Sequence, residues 1–332
     1  MVKAVRFHEL GGPEVLRLEE VGVADPGPGE LRVRVEAIGL NRAEALFRSG
    51  RYIEPVKEFP AGLGAEAAGV VEAVGPDVTG FQIGAPVSVV PAFSMNDYGV
   101  YAERAIVPAR AVLPRPAGLG ATEGAAVWMP FLTAYGALVE VGGVRAGDTV
   151  VLTAASSSVG LAAIQVARRV GAVPVATTRT RAKRQALIEA GAAEVIVTGE
   201  ESVVDRVRAV TGGRGAEFVL DAVAGPGVTD LARVVAPGGT LFVYGALSGE
   251  ATPYPGIDLG LPALNMRAYT VLETTRDPLR LRRAEAFVAS GLSSGAFAPA
   301  VDRVFPLEEI VEAHRYLEAG GQVGKIVVTV DH

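Results

Sequence analysis

The sequence predicts an α/β protein that joins a doubly wound parallel sheet to a smaller, irregular barrel-like β domain. Up to about Leu113 the chain reads as short strands closed by glycine and proline, whereas beyond about Ala121 strand and helix patterns alternate. Its 332 residues, 49% of them hydrophobic, suit two domains with a large core.

In the first region, LRVRVEAI (31–38) alternates apolar and charged residues, as a half-buried strand does. GVVEAVG (69–75) and PVSVV (86–90) read as further strands, and NRAEALFR (41–48) is a helical interruption. In the second region the strand candidates are TVVLT (149–153), VPVAT (173–177), EVIV (194–197), EFVLD (217–221), TLFVYG (240–245) and AYTVL (268–272). Helical segments separate them, which is the rhythm of a parallel sheet. RRAEAFVASG (282–291) then reads as a helix, VDRVF (301–305) as a strand, LEEIVEAHRYLEAG (307–320) as a helix closed by glycine, and GKIVVTV (324–330) as a strand. The apolar run from Ala125 to Val144 contains Pro130 and Glu140 and reads as a buried helix pair rather than a membrane span.

Composition narrows the function. The formal charge is −6 and lysine and arginine are scattered, which argues against nucleic acid and acidic membranes as partners. The absence of cysteine excludes disulfides, thiolate zinc sites and a cysteine nucleophile. The opening MVKAVRFHEL reads as a strand rather than a signal peptide, so a cytoplasmic protein is expected.

Residues 151–167, VLTAASSSVGLAAIQVA, read as strand, tight turn and amphipathic helix. That is the layout of a dinucleotide-binding turn, although one glycine stands where G-x-G-x-x-G has three. The three positions are Ala155, Ser157 and Gly160, and Gly160 retains the role of close helix–strand packing. Ser156, Ser157, Ser158 and Val159 open the helix, where a serine either caps the backbone or offers its hydroxyl to a phosphate. A ligand-free structural turn is the alternative. About twenty residues on, where NAD sites carry an acid for the ribose, this chain has Thr178-Arg179-Thr180-Arg181-Ala182-Lys183-Arg184. Cations at a strand end fit a 2′-phosphate and hence NADP(H), with Arg179 and Lys183 as the expected contacts. A solvated helix face is the other reading, and it suits Arg181 and Arg184.

Taken in order, GLNRAEALFRSGRY (39–52), GLGAEAAGVVEAVGPDV (62–78), LTAYGAL (132–138), AASSSVGLAAIQVAR (154–168), ALIEAGA (186–192), VAPGGTLFVYGALSG (235–249) and GKIVV (324–328) resemble the medium-chain dehydrogenase/reductase superfamily, in its zinc-independent quinone oxidoreductase (zeta-crystallin-like) branch. The resemblance covers residues 3 to 329. It implies a Rossmann domain over 121–272, and a GroES-like β-barrel catalytic domain built from 1–120 and 273–332. It also implies a homodimer, while NADPH as the expected cofactor follows from the basic segment above. Zinc-bearing members place a cysteine where this chain has Asn41, and Gly-His-Glu where it reads Gly64-Ala65-Glu66. With His8, His314 and His332 as the only histidines, no adequate ligand set remains and no metal is expected. Two departures stand out: Ser157 and Ser158 replace a common Gly-Gly pair, and Glu44 replaces a common aspartate.

The resemblance places Asn41 and Tyr52 at the reacting centre, as neutral donors to the oxygen of a conjugated carbonyl, with Tyr52 also lining NADPH. Asn41 reads equally as a helix cap and Tyr52 as a loop anchor. Thr133 is expected beside the nicotinamide amide, unless it is a core helix residue. Thr198, Gly225, Tyr244, Gly245 and Ala246 fall at carboxyl ends of successive strands, where cofactor contacts are expected. Lys325 matches a family lysine. Phe93, Trp128 and Phe131 read as core packing or an apolar wall. No residue stands out as an obligatory acid. The expected activity is NADPH-dependent, metal-free reduction of a quinone or α,β-unsaturated carbonyl, a small-molecule substrate. An enoyl-thioester reductase and a non-catalytic NADPH-binding sensor are the alternatives.

Overall fold

A computed structural model describes residues 1–257, 259–260 and 264–332, and the chain divides into two compact units. The first comprises Met1–Met129 with Pro299–His332, and the second Pro130–Ala298.

In the first unit, β1 (Val2–Arg6) pairs antiparallel with β2 (Arg17–Val21). The ten-residue strand β3 (Glu30–Gly39) is the hub of a seven-stranded sheet and leads into helix α1 (Arg42–Arg48). β4 (Ala67–Val74) pairs along one side of β3 and is followed in the sheet by β5 (Pro86–Val89). β6 (Arg104–Pro108) joins residues 30–34 of β3, and β7 (Val112–Pro114) joins β5. The late strand Lys325–Thr329 pairs antiparallel with residues 37–39 of β3. The strand Val301–Pro306 lies parallel beside it. Register shifts at Arg32/Val33 and Val35/Ala37 are bulges, which bend a strand serving partners at both of its ends.

The second unit opens within helix α2 (Ala121–Tyr135) and holds β8 (Thr149–Leu152), α3 (Ser158–Val170), β9 (Val173–Thr178), α4 (Arg184–Glu189), β10 (Glu194–Val197), α5 (Val203–Val210), β11 (Ala216–Asp221), α6 (Val228–Ala232), β12 (Val235–Val243) and β13 (Asn265–Ala268). All pairings are parallel, in the order β10-β9-β8-β11-β12-β13. This is the Rossmann arrangement, in which strand order reverses beside the first strand. Val151, Val175, Ile196, Val219 and Leu241, one from each of five strands, share a core cluster with Val207 of α5 and Leu231 of α6.

Three details depart from the sequence expectation. The sixth strand is Asn265–Ala268 rather than 268–272, and Leu272 opens helix α7 (Leu272–Thr275). β12 offers Thr240–Val243 for pairing with residues 265–268, and the apolar Tyr269 beyond them packs against Phe242 in the core. The run 125–144 is not a helix pair: α2 continues directly into a π-helical segment, Gly136–Val141. Gly136 marks close approach rather than a turn, since a Cβ there would lie 1.9 Å from the Tyr269 hydroxyl. This continuous helix is long and apolar enough to cross a bilayer, yet 83% of its most apolar window is buried within the protein. Both breaks between units fall later than expected, at Met129/Pro130 rather than 120/121 and at Ala298/Pro299 rather than 272/273. Helix α8 (Pro278–Ser293) belongs to the second unit, where Phe287 stacks on Tyr135 and Phe297 on Phe131.

Candidate active site

The serine-rich turn follows β8, with Ala154 in the left-handed region (φ 45°). Ser157 is the N-cap of α3, and its hydroxyl oxygen accepts a hydrogen bond from the Gly160 backbone N–H at 3.1 Å. A Cβ at Gly160 would lie 2.5 Å from Ala155 Cα, so glycine is required for the helix to meet the turn. Capping uses a lone pair of Ser157 and leaves its hydroxyl hydrogen for another acceptor. Tyr244 reaches the same serine: burial and the nearby Asp221 carboxylate push its phenol well above the usual value, and a hydrogen bond with Ser157 opposes them. Ser157→Ala is therefore expected to lose about 1 kcal/mol of stability through the cap alone. Thermal unfolding checks this, and an unchanged Tm would remove the cap from the account.

The basic segment after β9 sorts into two kinds of cation. Arg181 pairs with Glu200 at 2.5 Å and is compensated locally, while Arg184 lies 4.0 Å from a Glu194 oxygen that Arg206 holds at 3.1 Å. Arg179 is exposed, and among the described residues its guanidinium has no ion-pair partner. Lys183 Nζ donates to Ser156 Oγ at 3.2 Å, tying this segment to the serine turn. Thr178 is buried, and its carbonyl accepts from the Thr198 backbone N–H at 2.8 Å and from the Thr198 hydroxyl at 3.3 Å.

Asp221, the last residue of β11, is a buried acid at this edge of the sheet that the sequence reading did not single out. Its buried carboxylate accepts from Thr153 Oγ1 at 2.6 Å and from the backbone N–H groups of Val223 and Ala224 at 2.9 Å. It thereby holds a bend in which Ala224 (φ 58°) and Gly225 (φ 69°) are left-handed. An aspartate ending the apolar strand EFVLD was the available signal. Gly245 approaches the same bend, since a Cβ there would meet the Ala222 carbonyl at 2.5 Å. Ser156–Val159, Thr178–Lys183, Thr198, Gly225 and Tyr244–Ala246 thus follow the carboxyl ends of β8 to β12, at one edge of the sheet. Thr133 is buried within α2. A capped helix N-terminus, a glycine-dependent close approach and an uncompensated arginine together fit a phosphate-bearing dinucleotide.

The first unit contributes a buried polar cluster. Asn41 caps α1, and Glu44, three residues on, accepts from the Asn41 backbone N–H at 2.6 Å. The Asn41 amide nitrogen donates to the Gly39 carbonyl at 3.0 Å and to Glu44 Oε1 at 3.3 Å, while its oxygen accepts from Lys325 Nζ at 2.6 Å. Lys325 also bonds Glu66 Oε2 at 2.5 Å, and the other oxygen of Glu66 accepts from the Met129 backbone N–H at 2.7 Å. Lys325 is 1% exposed and Glu66 and Glu44 are wholly buried. Burial pushes the Glu44 carboxyl up to about 7, against the pull of Lys325 and the Asn41 hydrogen bond. A Cβ at Gly39 would lie 2.0 Å from the Ala125 carbonyl and 2.8 Å from Lys325 Cε, so the lysine enters over a glycine.

Both readings of Asn41 must be adjusted to this network. It is the helix cap, and both amide hydrogens have partners inside the protein, the one on Glu44 at the longer distance. Tyr52 packs edge-on against Phe47 with ring centroids 6.1 Å apart. Phe93, Trp128 and Phe131 are buried, as core residues are. His314 is also buried, 3.3 Å from the Tyr101 hydroxyl, and burial with nearby Arg48 and Arg42 pushes it down to about 3.

Residues 27–117 match the alcohol dehydrogenase GroES-like domain, and residues 190–328 the zinc-binding dehydrogenase family. The residues present do not suit a zinc ion at the positions named above: Asn41 and Glu66 already share an ammonium, which excludes a second cation from the same oxygens. Among the described residues no three His, Cys, Asp or Glu side chains converge as ligands. The quinone oxidoreductase of Pseudomonas aeruginosa is 33% identical over 99% of both chains. The 2-haloacrylate reductase of a Burkholderia species is 30% identical over 99% of both. The crystal structure of Escherichia coli quinone oxidoreductase complexed with NADPH superposes with a TM-score of 0.91 at 29% identity, over 98% of this chain and 99% of that one. A GroES-like β domain, a Rossmann sheet and end-to-end similarity of this extent place the chain in the quinone oxidoreductase branch of the medium-chain dehydrogenase/reductase superfamily.

Proposed function

We propose that this protein is an NADPH-dependent reductase of quinones or α,β-unsaturated carbonyl compounds. The observation that carries the reading is the donor set of the first unit, where the Asn41 amide and the Glu66 carboxylate, at positions that belong to the zinc motifs of other members, share the Lys325 ammonium. Such a site offers hydrogen bonds to a developing oxyanion and no Lewis acid to acidify an alcohol. When bound, NADPH supplies the hydride. The α3 N-terminus with Ser156, Ser157, Ser158 and Val159 holds the pyrophosphate, and Arg179 and Lys183 hold the 2′-phosphate. Thr178, Thr198 and Gly225 line the adenosine side, and Thr133, Tyr244, Gly245 and Ala246 the nicotinamide side. Tyr52 and Asn41 orient the acceptor carbonyl as neutral donors, and the final proton comes from water. Names of relatives support both acceptor types, a quinone in one case and a haloacrylate in another.

The test is NADPH consumption with a quinone, an enone, an enoyl thioester and a 2-haloacrylate, followed by nicotinamide absorbance. Quinone and enone should be reduced, deuterium from labelled NADPH should appear at the β-carbon of the enone, and chelators should leave the rate unchanged. A chelator-sensitive alcohol oxidation at a matching rate would sink the proposal. NADPH binding without turnover across the panel would establish the sensor instead.

A further inference from the structure

Lys325 is a buried cation whose two hydrogen bonds run to Glu66 and to Asn41 Oδ1, at 2.5 and 2.6 Å. A structural ion pair needs only the first. The second reaches the amide of the residue that the preceding reading puts at the acceptor. A cation bonded to an amide oxygen draws electron density from the amide nitrogen and makes its N–H groups better donors, and chains of such bonds reinforce one another in a low-dielectric interior. The same bond fixes which end of the amide faces which way, because an ammonium accepts nothing. With the oxygen held by Lys325, the nitrogen points at Gly39 and Glu44, and its contact to Glu44 Oε1, at 3.3 Å, is the longer of the two. It is the one an acceptor oxygen can displace at least cost.

The backbone leaves room for this contact. Lys325 passes over Gly39, where any side chain would strike its Cε, and Glu66 is itself anchored by the Met129 backbone N–H. Four separate segments, around residues 39–44, 65–66, 129 and 325, therefore meet in one hydrogen-bond network that includes the Asn41 amide.

We propose that Lys325 is a positioning residue for the reduction: clamped by Glu66, it orients and polarises the Asn41 amide so that its N–H can serve the oxygen of a conjugated carbonyl. The proposal rests on the reading that such a carbonyl is the acceptor. Lys325→Met alone strands the buried Glu66 charge and endangers folding. The informative variant is Lys325→Met with Glu66→Gln, which removes both charges and nearly preserves shape. Its Tm and NADPH affinity should stay near those of the parent protein, while kcat for an enone falls tenfold or more and KM changes little.

A second readout needs no turnover. A phenolate inhibitor, carrying the negative oxygen that develops in the reaction, is titrated by calorimetry into parent and variant. Its affinity should fall by a factor similar to that in kcat. Unchanged kcat and unchanged phenolate affinity in a folded double variant would overturn the proposal and leave Lys325 a structural residue. Should the parent protein reduce no acceptor in the panel, the functional reading fails, and the phenolate titration still decides the role of Lys325.

Discussion

Replacing Glu44 with glutamine is expected to make the protein lose stability on mild acidification, by about 1.4 kcal/mol per pH unit below about pH 6.5. Two buried groups set this. Glu44 is held up to about 7 in the folded protein, above the roughly 4.3 of an unfolded glutamate. Its contribution is fully present below that lower value and is lost as pH rises toward 7. His314 is held down to about 3, below the roughly 6.5 of an unfolded histidine. Its contribution is present above pH 6.5 and is lost as pH falls toward 3. Between about pH 4.3 and 6.5 the two slopes have opposite sign and similar size, so in the parent protein they cancel. Glutamine does not titrate, which leaves the His314 slope uncompensated and removes about 3 kcal/mol across the window. Urea unfolding of both proteins from pH 4.5 to 7 measures it. Parallel profiles would show that Glu44 titrates where an exposed glutamate does.

Arg179→Ala is expected to weaken NADPH binding ten- to hundredfold and to leave NADH almost untouched. A charge-assisted hydrogen bond contributes about 1.5–3 kcal/mol, and only NADPH carries the 2′-phosphate that would accept it. The structure distinguishes this arginine from its neighbours. Arg181 already has Glu200, so a phosphate would compete with an existing partner there. Changing Arg181 should accordingly matter far less. Titration with both cofactors against both variants is the measurement, and equal losses for NADPH and NADH in Arg179→Ala would remove the assignment.

Much of this protein was legible in its sequence because the relevant signals are local. Strand alternation in LRVRVEAI, the α/β rhythm after Ala121 and the packing glycine Gly160 depend on neighbours a few residues away. They were matched by β3, by a six-stranded parallel sheet and by a Cβ-free contact with Ala155. Ser157 posed a local question whose two answers are compatible: the hydrogen bond from Gly160 shows that it caps α3, and its hydroxyl hydrogen is left over for the proposed phosphate. Where local pattern was ambiguous, pairing decided: AYTVL is as apolar as any strand, but β12 presents its hydrogen-bonding edge to residues 265–268.

The cluster around Asn41 was out of reach for a different reason. Lys325 lies 284 residues from Asn41 and 259 from Glu66, and no periodicity links positions so far apart. In sequence, Lys325 stands out only as a match to a family lysine and Glu44 only as a replacement for a common aspartate, with nothing to join them. Only the antiparallel pairing of Lys325–Thr329 with the end of β3 brings the ammonium over Gly39, beside two carboxylates sealed from water. Local spacing therefore specified the elements and the nucleotide turn. Which charges share a dry interior, and so which groups carry unusual protonation and hydrogen bonding, was decided by long-range packing, because desolvation and Coulomb energies depend on surroundings that sequence neighbours do not supply.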